Sequence, residues 1–222
     1  IDTVIHLSSV ANDPCGDLDP KLTWEISALA TMQLADKAVR QGVKQFIYAS
    51  SGSVYGIKDE DQVTEDLELK PISEYNKTKM VSERVLLSYQ DDITVQIIRP
   101  ATVCGVSPRM RLDVAVNLLT MQALSKGKIT VFGGNQARPN IHLDDITDVY
   151  LHFMDHPKHT GIYNCHVTHF QRGNSIFDSF FREKTAILKF ENLGLAGEAV
   201  ARPRGRQMRD RDSPPPGHRQ GL

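Results

Sequence analysis

Short β-branched apolar runs alternate along the chain with longer stretches of helical period. Thr3-Val4-Ile5-His6-Leu7, ended by Ser8-Ser9, predicts a buried strand over residues 3–9. A loop with Asn12, Asp13, Pro14 and Gly16 follows. From Pro20 to Gln41 the apolar positions Leu22, Ile26, Leu29, Leu34 and Ala38 recur at helical spacing, and Gly42 supplies a stop. A second strand is expected over Val43–Ser50, centred on Phe46-Ile47-Tyr48. Beyond a loop bearing Gly52 and Gly56, a long helix is expected from Ser73, its N-cap, to Tyr89. Ile93–Arg99 predicts a third strand, closed by Pro100. The remaining pattern predicts a helix over Leu112–Lys126, a strand over Ile129–Phe132, a helix over Asp144–Met154 and a strand over Gly161–Asn164.

Strands alternating with long helices imply right-handed βαβ units around a parallel sheet, an α/β doubly wound, Rossmann-like fold. The chain enters an apolar strand directly at Ile1, so the elements that would precede it, a first βαβ unit, are expected to be absent. Residues 1–164 form the expected domain, with a core over 1–105 and smaller substrate-binding elements over 106–164. The rhythm weakens over 165–222. From 201 to 222 there are six arginines, Pro214-Pro215-Pro216 and almost nothing apolar. The stretch from about 195 is therefore read as disordered or foreign to the domain rather than as a basic interaction tail, since it cannot bury enough surface to offset its ordering entropy.

Composition narrows the partners. A formal net charge of -1 gives no reason to expect nucleic acid or an anionic membrane. Cys15, Cys104 and Cys165 are odd in number and lack metal-ligand spacing, which favours free thiols in a reducing compartment and a cytoplasmic protein. No metal is expected.

The chemistry concentrates around Tyr75-Asn76-Lys77-Thr78-Lys79. On a helix, residues i and i+4 share a face, so the phenol and the ammonium can point into one cleft. A cation there favours the phenolate and is expected to lower the tyrosine pKa toward neutrality. Such a tyrosine can take a proton from a sugar hydroxyl as hydride leaves the carbon. Tyr-x-x-x-Lys alone arises by chance on many surface helices. Position strengthens it: 24 residues upstream, at the carboxyl end of a predicted strand, lies Ser50-Ser51-Gly52-Ser53-Val54-Tyr55-Gly56. Ligand sites of open α/β sheets lie at that end.

These segments, together with Val4-Ile5-His6-Leu7-Ser8-Ser9, Arg99-Pro100-Ala101-Thr102-Val103 and Arg138-Pro139-Asn140-Ile141-His142-Leu143-Asp144-Asp145, resemble the extended short-chain dehydrogenase/reductase family. Within it they resemble the NAD-dependent nucleotide-sugar epimerase/dehydratase branch, over roughly residues 1–164. The resemblance implies Tyr75 as catalytic base, Lys79 as the lysine that tunes it and binds the nicotinamide ribose, and Ser51 as the catalytic serine. It implies cofactor contacts at Leu7, Ser8, Ser9, Tyr75, Lys79, Pro100 and Val103. Substrate contacts are implied at Ser51, Gly52, Ser53, Thr102, Asn117 and Arg138, the last as a diphosphate clamp. His142 and Asp145 are expected to hold a strand–helix corner. Homodimerisation through helices 20–41 and 73–90 is implied, with Ala28, Ala30, Ala35 and Ala38 permitting close approach.

Three departures matter. The glycine-rich pyrophosphate turn and the residue that selects NAD or NADP are not in this sequence, so the 222 residues alone are expected to bind cofactor weakly or not at all. Ser27 stands where the family often has asparagine. Gly52 and Ser53 replace the Asp-Glu pair that dehydratases carry, which favours epimerisation or oxidoreduction over dehydration. The expected activity is NAD-dependent epimerisation of a nucleotide-diphosphate sugar at C4 through a transient keto-sugar. The alternatives are an NAD(P)-dependent keto-sugar reductase or dehydrogenase, and a catalytically idle nucleotide-binding relative.

Overall fold

The computed structural model describes residues 1–60, 62–132 and 138–166; the expectations for the tail beyond 166 lie outside them. Four strands, β1 (Thr3–His6), β2 (Gln45–Ala49), β3 (Thr94–Pro100) and β6 (Gly161–Cys165), form a parallel sheet in the order β1-β2-β3-β6. Successive side chains alternate faces, and the two faces are covered by different helices. Phe46, Tyr48, Val95 and Ile97 pack against Ala35, Ala38 and Leu86 from helices α3 (Ala30–Arg40) and α4 (Glu74–Leu87). Ile47 and Ile98 on the other face meet Ile146, Val149 and Phe153 of helix α6 (Leu143–Asp155). A two-stranded parallel ladder, β4 (Thr102–Cys104) with β5 (Asn140–His142), sits beyond the main sheet, with α5 (Ala115–Lys126) between them in sequence. Helix coverage of both faces is the doubly wound arrangement that the sequence pattern predicts.

The first long helix departs from its sequence reading. It is three pieces: α2 (Pro20–Trp24), a π-helical turn (Glu25–Leu29) and α3. Its apolar stripe faces outward, with Leu22, Ile26 and Leu29 all more than 40% exposed. The buried positions are Thr23, Ser27, Ala28, Thr31, Ala35 and Ala38. Small and hydroxyl side chains allow the close approach to α4, and their hydroxyls bond backbone: Thr31 Oγ1 donates to Ser27 O at 2.6 Å and Ser82 Oγ of α4 donates to Ser27 O at 3.1 Å. Ala28, Ala35 and Ala38 thus serve packing within the chain.

Three further differences are local. Asp13–Leu18 is a short helix, α1, capped by Asn12, where the sequence suggests a loop. Strands β4 and β5 are too short for their periodicity to register. Residues 129–132 form no ladder strand. Among the described residues, no helix is long and apolar enough to cross a membrane.

Candidate active site

Helix α4 begins with Ser73 as its N-cap, whose Oγ accepts from Asn76 N at 3.2 Å. The cap fixes the first turn, and with it Tyr75, at the carboxyl end of the sheet. One turn on, Lys79 is buried at 2% exposure. Its Nζ donates to Ala49 O, the last residue of β2, at 2.7 Å. The same ammonium lies 4.9 Å from the Tyr48 ring centroid and 5.7 Å from that of Tyr75. The phenol and ammonium therefore share one face, as the spacing predicts.

Ser51 follows β2 directly and caps a 3-10 turn, Gly52–Tyr55. Its hydroxyl lies 2.6 Å from Ser53 Oγ. Ser53 Oγ in turn donates to Asn76 Oδ1. Each hydroxyl carries a single proton, so with Ser53 donating to the buried amide of Asn76, Ser51 donates to Ser53. This relay joins two expected residues, Ser51 and Ser53, to one, Asn76, that the sequence reading missed. Its neighbouring position inside the Tyr-x-x-x-Lys segment is the signal that could have found it.

The electrostatics differ from expectation. Burial raises the Tyr75 phenol above its ordinary value; the Ser51 hydroxyl opposes that, the Asp13 charge adds to it and Arg111 opposes it. Lys79 is not among the groups that lower it. Burial also pulls Lys79 down to about 8, with Glu83 acting the other way. The expectation of a phenol drawn toward neutrality by its lysine is therefore corrected: desolvation outweighs the cation.

Other expected residues surround this centre. Leu7 and Ser8, just past β1, are exposed and Ser9 is half-buried. Pro100 ends β3, and its carbonyl lies 3.3 Å from where a Cβ on Gly52 would sit, so an expected cofactor contact and an expected substrate contact touch. Val103 and Thr102 lie on β4, with Thr102 opposite Asn140. Arg138 is exposed, and its carbonyl accepts from Asn140 Nδ2 at 2.9 Å. Asn117 differs: it is buried, Gly105 N donates to its Oδ1 at 3.0 Å and its Nδ2 donates to Arg111 O at 2.9 Å. Its amide ties together the β4–α5 connection. His142 caps α6, Nδ1 accepting from Asp144 N at 3.2 Å. Ser27 Oγ accepts from Val10 N at 3.1 Å, tying the loop after β1 to the π-helical turn.

Beneath the relay lies a buried pair that the sequence reading did not assign. Arg99 donates twice to Glu83, from Nε at 2.9 Å and Nη2 at 2.6 Å. Ser50 Oγ also donates to Glu83, and Arg99 Nη1 donates to Tyr55 Oη at 2.5 Å. A charged residue ending the apolar run Ile97-Ile98 was its trace in the sequence.

A buried lysine and a half-buried tyrosine one turn apart on one helix thus sit near a serine at a strand end of a doubly wound sheet. The model of the NAD dependent epimerase/dehydratase family matches residues 1–165, and the chain belongs to that family. It is 32% identical over 65% of its length to an uncharacterized UDP-glucose epimerase, YtcB, of Bacillus subtilis, covering 46% of that protein. It is 28% identical to a UDP-glucose 4-epimerase of Mycolicibacterium smegmatis, over 68% of this chain and 50% of that one. Among solved structures, UDP-glucuronic acid 4-epimerase from Bacillus cereus, in complex with UDP-glucuronic acid and NAD, superposes with a TM-score of 0.66 and 30% identity. The match covers 76% of this chain and 55% of that one. The chain thus spans about half the length, or less, of the curated relatives it matches.

Proposed function

We propose that the protein carrying this chain interconverts nucleotide-diphosphate sugars epimeric at C4, with NAD as cofactor. The observation that carries the reading is the Tyr75 ring 5.7 Å from the buried Lys79 ammonium, which is itself bonded to the end of the strand that Ser51 follows. Tyr75 acts as acid and base toward the sugar hydroxyl, and Ser51 orients that hydroxyl. The donor set suits the cofactor: Lys79 has three N–H donors, and Ala49 O is its acceptor among the described residues, which leaves donors for ribose hydroxyls. Tyr75, Pro100 and Val103 would flank the nicotinamide, and Leu7, Ser8 and Ser9 the rest of the dinucleotide. NAD, when bound, supplies a reversible hydride acceptor. Thr102 and Arg138 are assigned to the sugar diphosphate; Asn117 is assigned to shaping the loop beside it. The exposed Leu22, Ile26 and Leu29 stripe supports homodimerisation, and three free cysteines support a cytoplasmic setting.

The test uses protein expressed from the complete coding sequence, incubated with UDP-glucose, UDP-galactose and their N-acetyl forms. Epimer formation without net NADH, abolished in Tyr75→Phe, is the expected result. Stoichiometric NADH turnover would instead establish the reductase reading, and no turnover of any sugar by wild-type protein would leave the idle relative.

A further inference from the structure

Helix α1 has a place in this site that no motif announces. Asn12, at φ 72, caps it by accepting from Cys15 N at 3.0 Å. Fully buried Thr23 locks it to α2, donating to Gly16 O at 2.9 Å and Asp19 O at 2.8 Å. Gly16 then presses on the first turn of α4: a Cβ there would lie 3.1 Å from both Tyr75 Cβ and Tyr75 N. Ser73 Oγ donates to Asp13 Oδ1 at 2.5 Å. A hydroxyl has one proton, so spending it on Asp13 leaves the oxygen lone pairs for Asn76 N, the bond that caps α4. Asp17 Oδ1 accepts from Glu74 N at 3.4 Å. Asn76 also accepts from Ser53, whose hydroxyl is bonded to that of Ser51. Contacts from α1 therefore reach the phenol by two routes, through the Tyr75 backbone and through the Ser73–Asn76 cap.

We propose that α1 is a brace that sets the Tyr75 phenol against Ser51, with Asp13 as its positioning residue and Gly16 as its bearing point. The inference rests on Tyr75 being the acid/base group, and neither Asp13 nor Gly16 touches substrate. Removing the brace therefore lowers kcat and leaves KM for the nucleotide sugar alone.

The test compares Asp13→Ala, Asp13→Asn and Gly16→Ala in protein from the complete coding sequence. Asn retains an acceptor for Ser73, so the brace predicts rescue. Small misplacements of reacting groups are costly, so kcat should fall about tenfold in D13A and G16A and stay within about twofold in D13N, with KM steady in all three. Tyrosine labelled at 13Cζ gives a readout independent of turnover. The Tyr75 line, assigned with Tyr75→Phe, should broaden in D13A and G16A and stay narrow in D13N. A D13A enzyme with wild-type kcat and a narrow Tyr75 line overturns the brace. So does an equal loss in D13A and D13N, which would make charge and not position the cause. Full activity in Tyr75→Phe would instead sink the acid/base reading, with the line widths still deciding the brace.

Discussion

Lys79 is the residue whose environment departs furthest from its sequence context. The sequence places it one turn from Tyr75, but only the fold shows that it is buried at 2% exposure under the end of β2. Its pKa is depressed from 10.5 to about 8. The unfolded chain thus holds more protons than the folded one between those values, and stability rises with pH across that window. The penalty on the charged form is about 3 kcal/mol, present in full below about pH 8. Lys79→Met removes it. Urea unfolding at pH 7.5 and pH 10 should show the wild type gaining on the variant as pH rises. A constant difference between the two proteins would mean the ammonium is hydrated. The same burial explains why the phenol's direction was misread: sequence gives the charge of a neighbour, and desolvation is a property of the assembled cleft.

Helix α4 illustrates how an element can be legible in extent and illegible in purpose. Its cap, length and reactive pair follow from Ser73, Tyr75 and Lys79, yet its buried face is largely polar, with Asn76, Thr78, Lys79, Ser82 and Glu83. Glu83 and Arg99 join α4 to β3 as a two-pronged ion pair, both nearly solvent-free. Removing one charge strands the other in the interior, so Glu83→Gln should lower unfolding free energy by about 3–5 kcal/mol. Denaturant titration measures that loss directly, and a loss below about 1 kcal/mol would show the pair to be solvated. The strands β2 and β3 and helix α6 were legible because their apolar periods are strong. Helix α1 was not, because Pro14 and Gly16 read as loop residues while its stability comes from the Asn12 cap and Thr23. Strands β4 and β5, three residues each, offer no period to read.

At the scale of the molecule, the expected parallel sheet is present, and the expected helix over 20–41 turns Leu22, Ile26 and Leu29 outward while Leu34 and Ala38 meet the core. Periodicity locates an apolar stripe but does not say whether the stripe meets this chain's own sheet or a second copy. If Leu22, Ile26 and Leu29 meet a second copy, Ile26→Glu should convert a dimer to a monomer of ordinary stability. Light scattering on the complete protein tests this, and an unchanged dimer mass would move the interface elsewhere. The π-helical turn at Glu25–Leu29 has a consequence for how that surface is aimed. A π turn holds one residue more than an α turn, and each residue advances a helix by about 100°. Removing one residue here would return the turn to α geometry with α2 and α3 in about the same rotational register, because a π turn and an α turn each close one rotation, and would redirect only the side chains inside Glu25–Leu29. The extra residue is therefore a local bulge in the exposed helix face, and Trp24 Nε1, donating to Glu74 at 2.7 Å, anchors the helix just before it.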